Sequence, residues 1–391
     1  MKIFLCGKNS FIGKNIYKYI KKYKIQCRLM SHNDLDMLSY CTDEDIVINT
    51  MGVNRADSME AFVKGNVESV KNLVLSLGTK KPFLIHISSF MIEGFEGKTT
   101  EDLPEKNQWF IESKKEAEKY LSDVYLDEKL CVLRPSNIYG YDCKPYYNNI
   151  LCSLVYEKIH YQQKIKNLNI NCSRNFLSVD NLSKVVLNCA LENKTGTWNV
   201  LSDNTVSLKD ILNFIWPSVV PLYINCFNGE NDCCVQGNKN IVIVENLKKE
   251  ILKLEDEMRL YYNMIENLEF EEKQQLVQKR GSMVEISNLE SKRLYKITVN
   301  EGEVRGNHYH YHQTEDFFVN SGQVVFMLAP MENADVIMVQ YHSKNDFVRI
   351  YPTIIHTVVN DFQENISEII ISSTQEYIAN ASPDTMYVNL F

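Results

Sequence analysis

The feature that most constrains the fold is a rhythm running through the first 190 residues. Short apolar runs at 3–6, 46–48, 83–87 and 130–133 alternate with amphipathic stretches of helical period. Strands that are apolar on both faces are covered on both faces, and strands separated by helices pair in parallel. The rhythm therefore implies βαβ units and an α/β domain built on a doubly wound parallel sheet. The first run leads straight into Gly7 and is too short for the apolar core of a signal peptide.

The texture then changes twice. Between about 207 and 278, Ile243, Leu247, Ile251, Leu254, Met258, Tyr261, Ile265 and Leu268 recur at spacings of three or four among Glu and Lys. This spacing predicts one long amphipathic helix, either packed across a domain junction or pairing two subunits as a short coiled coil. Beyond Arg280-Gly281 the pattern turns to strand-like runs at 324–328, 336–340 and 369–371, which predict an all-β sandwich or barrel. The expected division is an α/β domain over 1–225, a helical linker over 226–279 and a β domain over 280–391.

Composition sets outer limits. With 391 residues, 45% hydrophobic and 24% charged, the chain can bury the cores of two or three domains, which excludes intrinsic disorder. Lys and Arg number 42 against 50 Asp and Glu, for a net charge of −8, and no basic cluster interleaves with aromatics, so no nucleic-acid partner is expected. No stretch approaches the roughly 18 apolar residues of a membrane span, so no membrane association is expected. The 11 Cys are scattered apart from Cys233-Cys234, which suggests neither a disulfide framework nor a CxxC metal site and suits a reducing cytoplasm.

The turn Gly7-Lys-Asn-Ser10-Phe-Ile-Gly13 sits between the first strand and a helix, where glycines let a turn close and a backbone approach a pyrophosphate. Gly7, Ser10, Phe11, Ile12 and Gly13 are the candidate cofactor-binding residues. Ser10 occupies the middle position, where a side chain either crowds a cofactor or hydrogen-bonds to it. Arg28 stands where the second strand should end, with no acidic residue there for ribose hydroxyls, which favours NADP(H) over NAD. The alternative for Arg28 is a solvated surface residue.

Further segments follow in order: Gly52-Val-Asn-Arg55, Gly65-Asn66-Val67, Ser88-Ser89, Glu112-Ser113-Lys114, Arg134-Pro-Ser-Asn137-Ile-Tyr-Gly140 and Arg174-Asn-Phe-Leu-Ser-Val-Asp180. In this order they resemble the extended short-chain dehydrogenase/reductase family that acts on nucleotide sugars. The resemblance implies a Rossmann-type domain in which a Ser or Thr, a Tyr and a Lys four residues beyond it carry the chemistry, the Lys also holding the nicotinamide ribose. Ser88 or Ser89 matches the hydroxyl and Lys114 the Lys. The Tyr position holds Phe110, which cannot transfer a proton. Another group, or water, supplies the proton, or the domain no longer reduces its ligand; Tyr120, ten residues on, faces elsewhere. The resemblance also implies substrate contacts from Asn54, Arg55 and Asn137. The loop carrying Lys144, Tyr147 and Asn148 can hydrogen-bond and stack, and Arg174 can pair with a diphosphate.

Of the eight His, five lie late in the chain: His308, His310, His312, His342 and His356. The pattern Gly302-x5-His308-x-His310-x4-Glu315-x6-Gly322, with His356 and Asn360 beyond it, resembles the two motifs of the cupin family and implies a β-barrel. Alternate residues of a strand point the same way, so His308 and His310 project together, and Glu315 and His356 complete three imidazoles and a carboxylate suited to Zn or another divalent metal. The alternative is a set of histidines satisfied by hydrogen bonds without a metal. Pro352 stands four residues before His356 where cupins have five, and Thr353-Ile354 lack the usual glycine, so a distorted turn is expected there. His312 continues the alternation and is a candidate base; Tyr309 and Tyr311 pack behind the strand.

An extended reductase followed by a cupin resembles the bifunctional capsular-polysaccharide enzymes that make the precursor of UDP-N-acetyl-L-fucosamine. Matching segments include Lys80-Lys-Pro82, Cys143-Lys-Pro145, Arg280-Gly-Ser282, Gly306-Asn-His308 and Pro383-Asp-Thr385. The resemblance implies C3 epimerisation of a UDP-4-keto-6-deoxy-N-acetylhexosamine in the cupin, then NADPH-dependent C4 reduction in the first domain, within a homodimer. The alternatives are a cupin 3,4-ketoisomerase and a non-catalytic nucleotide-sugar-binding protein.

Overall fold

The computed structural model describes residues 1–94, 99–162, 164–165, 168, 170, 172–217, 239–272, 276–278, 281–283, 287–362, 366–374, 384–388 and 390. The Cys233-Cys234 pair and the expected domain boundaries at 225/226 and 279/280 lie outside the described residues. The chain divides into two compact units, Met1–Ile20 with Leu29–Asp256, and Lys21–Arg28 with Glu257–Phe391.

The strands up to residue 243 are β1 (Ile3–Cys6), β2 (Cys27–Met30), β3 (Ile46–Asn49), β4 (Phe83–Ile87), β5 (Leu130–Pro135), β6 (Asn137–Tyr139), β7 (Ser173–Ser178), β8 (Gly196–Ser202), β9 (Thr205–Ser207) and β10 (Asn240–Ile243). Seven of them form one sheet in the order β10-β8-β5-β4-β3-β1-β2, and β6, β7 and β9 form a small second sheet. The helices are α1 (Phe11–Lys22), α2 (Met59–Phe62), α3 (Ser69–Leu77), α4 (Glu105–Val124), α5 (Ile150–Ile159), α6 (Val179–Leu191), α7 (Leu208–Ile215) and α8 (Leu247–Glu266). Every residue of β1, β3 and β4 is buried, as two covered faces require. On one face Phe4, Val47, Leu84 and Val132 pack with Leu73 of α3 and Leu121 of α4. The strand order reverses at β1, which pairs in parallel with β3 (Ile3 opposite Ile46, Cys6 opposite Asn49), so the carboxyl ends of β1 and β3 form the switch point where such sheets bind ligands.

The second unit carries β11 (Leu268–Glu272), β12 (Leu276–Gln278), β13 (Gly281–Met283), β14 (Arg293–Asn300), β15 (Val304–His310), β16 (Glu315–Ser321), β17 (Gln323–Pro330), β18 (Met338–Ser343), β19 (Asp346–Ile350), β20 (Ile354–Val359), β21 (Ile366–Ser373) and β22 (Thr385–Tyr387). Where a cupin β-barrel is expected, the strands form two five-stranded antiparallel sheets, β11-β19-β16-β21-β14 and β18-β17-β20-β15-β22. They share one apolar core, with Phe317, Val348 and Ile369 from the first and Phe326, Met338 and Val358 from the second. The pairings described within them are antiparallel, for example Leu328 of β17 opposite His356 of β20.

The long helix expected over 243–268 is shorter. Ile243 ends β10 and Leu268 opens β11, and α8 occupies only the residues between. Apolar side chains of the flanking strands fall by coincidence on the helical period. The division into units also falls within α8, between Asp256 and Glu257.

Candidate cofactor site and candidate metal centre

At the switch point the β1–α1 turn is closed by sterics. Gly7 has φ +96°, and a Cβ there would meet Thr50 Oγ1 at 2.5 Å; one on Gly13 would meet the Gly7 carbonyl oxygen at 2.4 Å. Thr50 locks β1 to β3, its hydroxyl donating to the Cys6 carbonyl at 2.9 Å. Ser10 turns inward as the cap of α1, accepting from the Gly13 amide at 2.9 Å and lying 2.9 Å from Thr50 Oγ1. It neither crowds the turn's outer side nor offers its hydroxyl there. Phe11 and Ile12 open α1, and first-turn amides have no intrahelical acceptor, so this helix start fits a pyrophosphate.

Beside the turn, Lys114 of α4 is buried next to Gly52 and Asn66. A Cβ on Gly52 would lie 3.0 Å from both Asn66 Oδ1 and Lys114 Nζ. Asn66 is fixed by accepting from the Val53 amide and donating to Ser113 Oγ, at 2.8 and 2.9 Å. Burial pushes the Lys114 ammonium down to about 8, opposed by Glu118. Burial and the Lys114 charge push His86 down to about 3, leaving a neutral imidazole 3.1 Å from Asn49 Nδ2. Phe110, one helical turn before Lys114, is buried edge-on against Phe62, with its ring centroid 6.0 Å from Lys114 Nζ. Tyr120 packs instead against the sheet cluster of Phe4 and Leu84. Ser88 Oγ is buried without a hydrogen-bond partner among the described residues, and Ser89 Oγ accepts from the Met91 amide.

The substrate candidates fall into two groups. Arg55 donates to the Tyr146 carbonyl at 3.3 Å, and its guanidinium and Lys144 Nζ lie 5.9 and 5.3 Å from the Tyr147 ring centroid. Asn148 accepts from the Lys144 amide and shapes the loop, while Asn54 is exposed on the segment leading to Arg55. Separately, Asn137 on β6 donates to the carbonyl of Asn175, the neighbour of Arg174 on β7.

In the second unit, His308 and His310 on β15, Glu315 at the start of β16 and His356 on β20 converge, with one ligand atom from each lying within 4.8 Å of all the others. His310 Nε2 and His356 Nε2 are 3.4 and 3.2 Å from Glu315 Oε2. These two nitrogens and His308 Nδ1 are buried with no hydrogen bond of good geometry among the described residues. Their opposite nitrogens are held: His356 Nδ1 donates to the Ile354 carbonyl, and His310 Nδ1 lies 3.1 Å from Thr385 Oγ1. Gln313 and Tyr295 donate to Glu315 Oε1, turning Oε2 toward the imidazoles. Burial, then His356 and His310, push His308 down to about 3. Burial would raise the Glu315 carboxyl, but the nearby His310 and His356 hold it well below the carboxylate range. Three imidazoles and one carboxylate so gathered fit a divalent cation, and ligands about 2.1 Å from one ion lie about 3.4 Å apart.

Local backbone sets this geometry. Gly306 (φ +99°) and Asn307 (φ 58°) form a bulge that shifts the β15–β20 register, after which His308 stands opposite His356. A Cβ on Gly306 would sit 2.6 Å from the His356 carbonyl oxygen. The expected distorted turn is present: Thr353 takes the left-handed conformation, φ 71°, in place of a glycine.

Two candidates fall outside these groups. Arg28 is engaged within the second unit by the Glu301 carboxylate and the Phe362 carbonyl, so its guanidinium is committed to protein partners and offers no basis for preferring a 2′-phosphate. His312 is exposed and does not join His308 and His310, because β15 ends at His310 and the His312 amide is bound by Asp384. Tyr309 and Tyr311 join each other through their hydroxyls at 3.0 Å. Sequence reasoning missed Thr50, Asn66 as the group fixing the Lys114 pocket, and Thr385, Gln313 and Tyr295 as the supports of the histidine cluster. Asn66 and Thr385 lie inside quoted segments; nothing in the sequence marks the others.

Residues 3–200 match the model of the NAD dependent epimerase/dehydratase family. The chain belongs to that family. Residues 276–386 match the polysaccharide biosynthesis C-terminal domain. Among solved structures, the chain is similar to CapF from Staphylococcus aureus, at 20% identity over 99% of this chain and 100% of that one, with a TM-score of 0.45. It is similar to UDP-N-acetylglucosamine 4-epimerase from Bacillus cereus, at 16% identity over 66% and 96% of the two chains with a TM-score of 0.50. It is also similar to MoeE5, solved with UDP-glucose and NAD, at 14% identity over 66% and 98% with a TM-score of 0.51. No curated protein matches the chain. The β1–α1 turn and the Lys114 pocket are the features of this chain that suit the nicotinamide cofactor for which the family is named.

Proposed function

We propose that this protein is a sugar-nucleotide enzyme of bacterial surface-polysaccharide synthesis that inverts C3 of a UDP-4-keto-6-deoxy-N-acetylhexosamine at the His308, His310, Glu315 and His356 cluster. The observation that carries this reading is the convergence of three imidazole nitrogens and one carboxylate oxygen, all within 4.8 Å of one another. A C4 ketone acidifies the C3 proton. A base at the site takes the C3 proton while the C–H electron pair forms the C3–C4 double bond of an enolate, and a proton delivered to the other face of C3 restores the ketone with the centre inverted. A divalent metal held by these four residues would supply Lewis-acid stabilisation of the oxygen that gains charge.

The first unit holds NADP(H) or a related nicotinamide dinucleotide, with its pyrophosphate at Gly7, Phe11, Ile12 and Gly13 and its nicotinamide ribose at Lys114. Arg55, Lys144, Tyr147, Asn137 and Arg174 hold the UDP-sugar. Reduction of the C4 ketone there is slow, because Phe110 offers no proton. The test uses the chain loaded with zinc, the keto sugar nucleotide and no reductant. Inversion at C3 is expected by NMR, and His310→Ala loses both inversion and bound zinc by elemental analysis. A His310→Ala chain that keeps its zinc and its turnover contradicts the proposal.

A further inference from the structure

Strand β22 lies against the histidine cluster on β15. Its register with β15 places Thr385 opposite His310 and Tyr387 opposite His308. Residues directly opposite in an antiparallel pair share a face, so both side chains stand on the side of the sheet that carries the two imidazoles. Thr385 is spent on His310, but Tyr387 is different: its ring lies edge-on to His308 with centroids 5.8 Å apart, and it is 82% exposed. Met386, between them, points the other way.

The strand is firmly held. The Asp384 carboxylate is buried and accepts from the His312 and Gln313 amides at 3.0 and 3.1 Å. Beyond the strand the Val388 amide donates to the Asn307 carbonyl at 2.7 Å, on the bulge that aims His308. A large, exposed aromatic ring thus stands on an anchored strand beside the part-buried His308, behind which His310 and His356 are buried.

We propose that Tyr387 is the stacking platform for the hexose ring of the substrate at the histidine cluster, an inference that rests on the proposed function. A sugar whose carbon reacts beside His308 must lay its ring within reach of that imidazole, whereas its base lies several bonds farther out. The apolar C–H face of a pyranose covers an aromatic ring well, and the anchored strand spares the ordering cost of positioning that ring.

The test isolates this site from any other nucleotide-sugar site of the chain. The full chain is loaded with Mn²⁺, with a Zn²⁺-loaded sample as the diamagnetic reference, and UDP-N-acetylglucosamine is titrated while the paramagnetic relaxation of its hexose protons is followed. Tyr387→Ala is expected to weaken the apparent affinity between about threefold and tenfold at unchanged metal content. Tyr387→Phe, which keeps the ring, stays within twofold of the parent. An alanine variant that binds as the parent does overturns the inference, as does one that loses its metal, which would make Tyr387 a support of the cluster. A phenylalanine variant as weak as alanine also overturns it, since the hydroxyl and not the ring face would then be the contact. A parent chain with no metal-dependent relaxation contradicts the proposed function and this inference with it; the other results bear on Tyr387 alone.

Discussion

Lys114 is 4% exposed, and its ammonium is pushed from 10.5 down to about 8, first by burial. The folded chain therefore binds this proton more weakly than the unfolded chain. The resulting cost to stability is full below about pH 8, fades as pH rises toward 10.5 and is absent above it. A shift of this size corresponds to at most about 3 kcal/mol. Lys114→Met should raise the unfolding free energy at pH 7 by up to that amount while lowering dinucleotide affinity, and urea titrations should find the stability gain shrinking toward pH 10.5. A gain that ignores pH would contradict the account. Lys114 was legible in the sequence because its motif is local. Arg28 is the opposite case: its partners, Glu301 and Phe362, are distant in the chain, and no local pattern announces them.

Among the elements, the strands were the most legible. The runs at 3–6 and 83–87 correspond to β1 and β4 residue for residue, since a strand buried on both faces has no exposed position to blur its ends. The helix over 243–268 was drawn too long because apolar residues of β10 and β11 continued its period. The His-x-His alternation held through His310 and failed at His312, where β15 gives way to a turn whose amides bind Asp384. The turn before β20 carries a strain that the missing glycine foretold. Thr353 is β-branched and left-handed, its amide donating to the His310 carbonyl at 2.7 Å and its carbonyl accepting from the Met331 amide. Such a residue costs about 1–3 kcal/mol, and glycine there brings back about 0.5–1 kcal/mol of chain entropy. Thr353→Gly should thus stabilise the protein by about 1 kcal/mol, seen as a higher melting temperature at unchanged zinc content. A lower melting temperature would show that the turn is not strained.

For the molecule as a whole, the chemistries proposed for the two units work in one order only. The C3 proton is acidic while C4 is a ketone, so inversion must precede reduction; once C4 is an alcohol, the histidine cluster has nothing to act on. The sequence made both units legible because each signature is compact: a glycine turn with a Lys four residues past Phe110, and three His with one Glu at cupin spacing. It could not reveal which groups hold those signatures in place, since Asn66, Gln313, Tyr295 and Thr385 act only through the tertiary fold. The central claim is that the second unit enolises a keto sugar without help from the dinucleotide. The most direct measurement is proton NMR of UDP-4-keto-6-deoxy-N-acetylhexosamine with the zinc-loaded chain in deuterium oxide, before and after NADPH is added. The C3 proton signal is expected to disappear before NADPH is added, and the ketone to decline only slowly afterwards. A C3 signal that persists until NADPH is present, or that persists throughout, would contradict the claim.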